Sequence, residues 1–288
     1  MRAFIERASE SLGQMFDPDR VLVVGNAQKK RSVYLYGLSG CQPSVVARLA
    51  GNHVIEKQCG AEHEIFRTFS DLRVPDVIVP RALGEMDHQG ITCYFQEVVT
   101  SNQWQNRIPL RGKHPKKREF ELATRYLVKI HKATRREDDD GRTRCFQHGD
   151  YWIGNLGQRG SSLVMYDLEY GKSGGDPLYD LFHFSVYYRV AMRNRGLVGG
   201  EMATGTYDRS DEKRSFLVRK EDIETVFINE GPYRNLVAAC IKRYCDACMI
   251  SSETAAGLLK HFVEHQLENN HGIQGFPSGW EQAVTGNR

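Results

Sequence analysis

The strongest constraint on the fold lies in the first hundred residues, where short β-prone runs follow one another with no helix between the first three. Residues 21–24 form an apolar run ending at Gly25. Residues 32–38 alternate and are rich in Tyr and Val, and residues 44–49 follow a Gly-Cys-Gln-Pro turn. Runs joined by hairpin-like turns build an antiparallel meander, unlike the βαβα alternation of a doubly wound sheet. The period then changes. Glu62, Ile65, Phe66 and Phe69 fall at i, i+3, i+4 and i+7, on one face of a helix. A Val-Ile-Val run between Pro75 and Pro80, and a further run over residues 90–99, supply two more strands. The expectation is a five-stranded sheet with one helix inserted after the third strand, preceded by an amphipathic helix over residues 1–16.

Beyond residue 100 the character is different. Residues 101–115 are polar and read as a loop between lobes. Residues 119–131 read as a helix with Phe120, Ala123, Leu127 and Ile130 as its buried stripe. A charged turn (135–144), a loop (147–155) and a short strand (163–166) follow. From Pro177 the chain reads as mostly helical, with apolar periodicity over 179–190 and 236–267 and a long surface insertion over 196–221 between them. The fold class is therefore α+β, with an N-lobe over 1–99 and a C-lobe over 100–288.

Composition excludes more than it identifies. A net charge of +3 on 288 residues does not point to nucleic acid as a partner. No stretch approaches the length of a membrane span, and the N-terminus lacks the apolar core of a signal peptide. A cytoplasmic location with no membrane partner is expected; oligomeric state is not written in the sequence. Seven Cys is an odd number, and the Cys245–Cys248 pair sits in a helical pattern with no second pair, so reduced thiols are expected there rather than zinc.

The chemistry concentrates in Gln147-His148-Gly149-Asp150-Tyr151-Trp152-Ile153-Gly154-Asn155, followed after a short apolar strand by Asp167-Leu168-Glu169. Phosphoryl transfer needs these residue types. One carboxylate must orient the attacking hydroxyl and take its proton, while a second carboxylate and an amide oxygen hold Mg²⁺ against the nucleotide phosphates. Mg²⁺ keeps several of its waters, so one Asp and one Asn suffice as protein ligands. No G-x-S-x-G, G-x-G-x-x-G, P-loop or H-E-x-x-H pattern competes.

His148-Gly149-Asp150 with Asn155, then Asp167-Leu168-Glu169, then Gly175-Asp176-Pro177-Leu178-Tyr179-Asp180-Leu181, resembles the signature of the aminoglycoside phosphotransferase and choline kinase superfamily. Leu127 to His131 resembles the family's L-x-x-L-H element, with Ile130 for the second Leu. The likeness covers about residues 20 to 270, with its motifs between 127 and 181. It implies a protein-kinase-like two-lobed fold, a small antiparallel-sheet N-lobe and a mainly helical C-lobe. Asp150 is then the catalytic Asp, and Asn155 and Asp167 ligate Mg²⁺. His148 and Asp180 are structural, and Gln96, Glu97 and Val98 form the hinge that offers backbone groups to adenine.

Arg48 occupies the position where kinase-like folds place a Lys on the third strand, and Glu62, favoured over Glu64, is its helix partner. Arg is always charged and grips phosphate in a planar fork, so the substitution changes geometry rather than sign. The turn over residues 25–31 is the phosphate-covering element, with a single Gly. Tyr151 and Trp152 serve either the core or the acceptor pocket. The resemblance implies an ATP- and Mg²⁺-dependent O-phosphotransferase whose acceptor is a small hydroxylated molecule: a sugar, an amino-alcohol or an aminoglycoside. Two rivals keep the fold, a nucleotide-binding pseudokinase or scaffold and an AMP transferase.

Overall fold

The computed structural model describes residues 1–25, 30–104, 114–201 and 218–269. The chain divides into two compact units, one of Met1–Asn102 with Gln158–Gly171 and one of Gln103–Gly157 with Lys172–Arg288. Thus a segment expected within the second half, the one carrying Asp167, packs with the first unit. Two of the three boundaries fall in short strands, β7 (Asn102–Gln103) and β10 (Leu156–Arg159), and the third falls between Gly171 and Lys172.

The first unit opens with α1 (Arg2–Leu12), ended by Gly13 in the left-handed conformation (φ 60°), which glycine adopts without steric penalty. Strands β1 (Phe16–Gly25), β2 (Lys30–Gly37) and β3 (Pro43–Ala50) form the expected meander. The helix α2 (His53–Leu72) follows, and β5 (Ala82–His88) and β6 (Ile91–Glu97) complete a sheet ordered β1-β2-β3-β6-β5. Period-2 alternation splits the sheet into two faces. Val33, Leu35, Val45, Ala47, Cys93 and Phe95 point one way and bury Phe4, Ile5 and Ala8 of α1. At about 1.5–3 kcal/mol for each large apolar side chain buried, this face accounts for much of the unit's stability. The other face carries Ser32, Arg48 and Tyr94, cross-strand neighbours in register. Helix α2 packs there, its Gly60 so close to the Tyr94 hydroxyl that a Cβ would lie 2.8 Å from the oxygen. Asn52 starts α2 by accepting from the N–H groups of Val54 and Ile55, both at 3.0 Å.

One strand expected in this sheet is elsewhere. Val77–Ile78 (β4) pairs in parallel with β11 (Ser162–Met165), and β5, polar along much of its length, takes the fifth place in the sheet. Its low β-propensity hid it. The signal present was Gln89-Gly90, both at positive φ (58° and 77°), the two-residue connection that right-twisted strands prefer.

In the second unit α3 (Lys117–Thr134) packs its apolar stripe on α6 (Pro232–Cys248) and on α4 (Tyr179–Glu201). Phe120 is the centre, within 5.1 Å of the Phe184 ring, 4.9 Å of Tyr188 and 5.7 Å of Tyr233. The charged turn expected over 135–144 is the tip of a hairpin, β8 (Arg136–Glu137) to β9 (Thr143–Gln147), and β12 (Lys172–Gly175) pairs with β9 on its other side. After α4 come a single turn α5 (Lys220–Ile223), a π-turn over Glu224–Ile228, α6, and α7 (Ser252–Asn269). The apolar run read over 236–267 is two helices, because Met249 adopts a left-handed conformation (φ 55°) and ends α6. Cys245 and Cys248 are free thiols whose pKa burial raises. Most of the insertion read over 196–221, and residues 26–29 of the phosphate-covering turn, lie outside the described residues. No described helix is long and apolar enough to cross a membrane.

Candidate functional site

The loop after β9 is held from below by one carboxylate. Asp180, fully buried at the start of α4, accepts the His148 N–H on one oxygen (2.7 Å) and the Gly149 N–H on the other (3.0 Å). Gly149 sits at φ 81°, so the loop turns sharply where the two N–H groups converge. Burial pushes the Asp180 carboxyl up to about 7, against the pull of those two bonds. His131, the end of the Leu127-to-His131 element, lies 4.0 Å from Asp180 and touches the Tyr244 hydroxyl; burial holds it down at about 3. His148 is itself buried, and its Nδ1 faces the Asp150 N–H at 3.4 Å. Both residues read as structural therefore lie inside the support of the loop.

Asp150 stands above this support, its side chain 30% exposed and so reachable by a small molecule. Asn155 donates its Nδ2 to the Asp150 Oδ2 (2.8 Å) and to the Asp150 carbonyl (3.0 Å). That use of the amide nitrogen fixes the orientation of Asn155 and directs its Oδ1 away from Asp150, leaving a hard neutral oxygen for another partner. Gly154 is required between them, since a Cβ there would lie 2.2 Å from the Trp152 ring. Tyr151 is fully buried, with its hydroxyl on the Ala123 carbonyl at 3.3 Å, which assigns it to the core.

Three aromatic residues on the helix facing Asp150 were assigned no role from the sequence. Tyr179, His183 and Tyr187 follow at i, i+4 and i+8 on α4, their rings near-parallel: His183 lies 4.1 Å from Tyr187 at 16° and 6.1 Å from Tyr179 at 22°. The His183 Nε2 is 3.7 Å from the Asp150 Oδ1, and its Nδ1 is 3.3 Å from the Tyr151 carbonyl. Burial pushes the Tyr179 phenol up to about 12, with Asp180, Tyr187 and then Asp150 adding to it. The available sequence signal was the i, i+4 recurrence of rings with polar tips starting beside Asp180.

The first unit holds the remaining residues. Asp167 follows β11 in a left-handed conformation (φ 55°), which Asp adopts more readily than most non-glycine residues. Before it, the Tyr166 hydroxyl bonds the Ser101 Oγ (2.7 Å) and the Val99 carbonyl (3.1 Å). After it, Leu168 is fully buried and its carbonyl accepts the Gly171 N–H. The backbone on either side of Asp167 is thus pinned. Arg48 donates to the Ser32 hydroxyl and, at 3.4 Å, to the Gln96 Oε1. Glu62 is fully buried on α2. At the hinge segment, the Glu97 N–H is spent on the Arg81 carbonyl (2.9 Å) and the Val98 N–H on the Ser44 carbonyl (3.0 Å). The backbone groups those two residues can offer adenine are their carbonyls. The structure thus joins Asp150 with Asn155, and Arg48 with Gln96.

No protein-family model matches the chain, and no curated protein matches it in sequence. Among solved structures, the chain is similar to the aminoglycoside phosphotransferase APH(3'')-Id from Streptomyces rimosus, at 12% identity over 74% of this chain and 94% of that one, with a TM-score of 0.44. It is also similar to the aminoglycoside phosphotransferase APH(2'')-IIIa in its GDP and kanamycin complex (11% identity, 86% and 99% coverage, TM-score 0.45). A third similar structure is the GDP complex of a point mutant of aminoglycoside 2'-phosphotransferase-IIIa (14% identity, 88% and 93% coverage, TM-score 0.42).

Proposed function

We propose that the chain is an ATP- and Mg²⁺-dependent O-phosphotransferase acting on a small hydroxylated molecule. The observation that carries this is the state of Asp150. It is a reachable carboxylate on a loop clamped by Asp180, with one oxygen held by Asn155 and the other 3.7 Å from the His183 Nε2. A general base needs this combination of fixed position and access to small molecules. Asp150 Oδ1 accepts the acceptor's O–H, aims its oxygen at the γ-phosphorus, and takes the proton as the new O–P bond forms and ADP leaves with the electrons of the old one.

Asn155 and Asp167 would hold Mg²⁺. Both fit as hard oxygen donors, and the Asn155 amide already spends its nitrogen elsewhere so that its oxygen remains. The metal supplies charge neutralisation on the phosphate oxygens when bound. Arg48, on β3, would steady the α/β-phosphates, and the carbonyls at Glu97 and Val98 would meet the adenine amine. Sugars, amino-alcohols and aminoglycosides are all acceptors the reading allows, and GTP stands beside ATP as donor.

The test is incubation of the chain with Mg²⁺ and ATP or GTP over a panel of such acceptors, beside Asp150→Ala. Nucleoside diphosphate released only with an acceptor, and lost in Asp150→Ala, is the expected result. Nucleotide binding without turnover on the whole panel would replace it with a scaffold, and pyrophosphate release with AMP transfer.

A further inference from the structure

We propose that the groove between α3 and α6 is a docking site for an acidic amphipathic helix of a partner protein. The groove lies wholly within the second unit and has a volume of about 590 Å³. None of its lining residues has a part in the proposed reaction, so the inference stands apart from that reading.

Charge is the first argument. The walls carry Arg118, Arg125, Lys129 and Lys132 from α3 and Arg243 from α6, against one carboxylate among the described lining residues, Glu121. A solvated helix face ordinarily interleaves the two signs, so that neighbours offset one another. Here Glu121 serves both Arg243 (3.4 Å) and Lys117 (3.9 Å), and the lining keeps a large excess of positive charge. Two of the cations are also held in place by the buried Tyr126. The Arg125 guanidinium lies 5.1 Å from the centre of its ring and donates to its hydroxyl at 3.3 Å, and the Lys129 ammonium lies 5.9 Å from the same ring. Long side chains ordered beforehand lose less entropy when an anion arrives.

Spacing is the second argument, and it selects the occupant. Arg118, Arg125 and Lys132 recur every seventh residue, close to two helical turns, so they stand in one row about 10 Å apart. Half-buried Leu122 and Val128 fill the gaps, and Ala247 of α6 adds to the apolar floor. Charge repeating at seven with apolar positions between is the pattern by which helices read one another in coiled coils. A helix laid in the groove would set carboxylates at the same interval against the row and apolar side chains on the floor. Two helices in contact lie about 8–10 Å apart. The groove between them admits a ridge of side chains, but not a nucleic-acid duplex or the flat face of a bilayer.

The probe is a synthetic peptide of about 18 residues, long enough to cover the row from Arg118 to Lys132, with Glu at every seventh position, Leu midway between, and Gln and Ala elsewhere. Its control carries Lys at the Glu positions. Both are labelled with a fluorophore, and binding to the full chain is followed by anisotropy. The expected result is saturable binding of the Glu peptide alone, weakened by added salt. A variant carrying Arg125→Glu and Lys132→Glu should bind it at least roughly ten-fold more weakly, because like charges brought together in an interface are strongly unfavourable. The neutral pair Arg125→Gln and Lys132→Gln should fall between variant and parent. Both positions are exposed, and melting temperatures close to the parent's separate lost docking from lost folding. Should the reversed pair unfold, the neutral pair carries the comparison.

No binding of the Glu peptide, equal binding of the Lys peptide, or one affinity across the parent and both variants would overturn the proposal. Another occupant would overturn it as well. If the parent sediments as a dimer that the same substitutions dissociate, the groove is an interface with a second copy of this chain. If heparin binds more tightly than the peptide and is lost in the same variants, it is a site for extended polyanions. If vesicles of phosphatidylcholine and phosphatidylserine do so, it is a membrane contact.

Discussion

The loop around Asp150 and the strand face around Arg48 each hold a charged group that the proposed phosphoryl transfer would use, and they hold it by opposite means. Asp150 is placed by backbone. Its loop is tied through the His148 and Gly149 N–H groups to a fully buried carboxylate, and its side chain takes one further bond from Asn155. Arg48 is placed by side chains, the Ser32 hydroxyl and the Gln96 amide on neighbouring strands. A backbone clamp cannot be altered by changing the residues clamped, whereas a side-chain cradle can drift with each of its members.

The largest effect expected breaks function away from this clamp. Asp150→Asn leaves an oxygen for the Asn155 amide and removes only the base, so turnover should fall by about 10²–10⁴-fold while the unfolding midpoint in urea hardly moves. A large stability loss in that variant would mean the carboxylate is part of the support instead. Asp180→Ala should do the reverse. It strands the buried His148 N–H and the half-buried Gly149 N–H, at about 1–3 kcal/mol each, so unfolding free energy should drop by roughly 2 kcal/mol or more, and turnover with it.

The same support gives the next prediction, on pH. Folded His131 and His183 are depressed from 6.5 to about 3. Their contribution is present above pH 6.5 and lost as pH falls towards 3. Asp180 is raised from 3.8 to about 7, so its contribution is present below 3.8 and lost as pH rises through 7. Between about pH 4 and 6.5 the unfolded chain gains two imidazole protons and forgoes one carboxyl proton relative to the folded one. The net single proton makes stability rise with pH by about 1.4 kcal/mol per unit. Below about pH 4 the carboxyl difference vanishes and the slope should steepen towards twice that. Urea midpoints taken from pH 3 to 7 check it; a flat profile would mean the three buried groups compensate one another.

The comparison also shows what a sequence can carry. The loop around Asp150 stood out as a candidate because phosphoryl transfer would require particular residue types at fixed spacing. Even the role of Asp180 followed from its place in the Gly175-to-Leu181 motif. The meander and α2 were legible because alternation and helical periodicity are local. What escaped was set by partners distant in the chain. Strand β5 is polar and is recruited by its hairpin with β6, whereas Val77–Ile78, with the better β composition, pairs with β11, far along the sequence. His183 escaped because its meaning lies in the Tyr151 carbonyl and the Asp150 carboxylate, neither of which its own helix reveals. At the hinge, residue identities could not show that the Glu97 and Val98 N–H groups are already bonded to Arg81 and Ser44.

The smallest effect expected concerns the side-chain cradle, and it decides whether Arg48 is a phosphate ligand or a strut between strands. Lys keeps the charge but presents a single ammonium group, so it cannot span Ser32 and Gln96 as the guanidinium does. If Arg48 serves the nucleotide, Arg48→Lys should change KM for ATP by no more than about three-fold, and Arg48→Met should raise it about ten-fold, the loss of roughly one charge-assisted hydrogen bond. Melting temperatures should stay close together, because both replacements keep the aliphatic stem that lies over the sheet. If Arg48 is a strut, the order inverts. Arg48→Lys and Arg48→Met would then destabilise the first unit alike, by leaving the buried Gln96 amide oxygen without its donor, while nucleotide affinity measured by calorimetry would not distinguish them. In that case the cation for the phosphates must come from another residue.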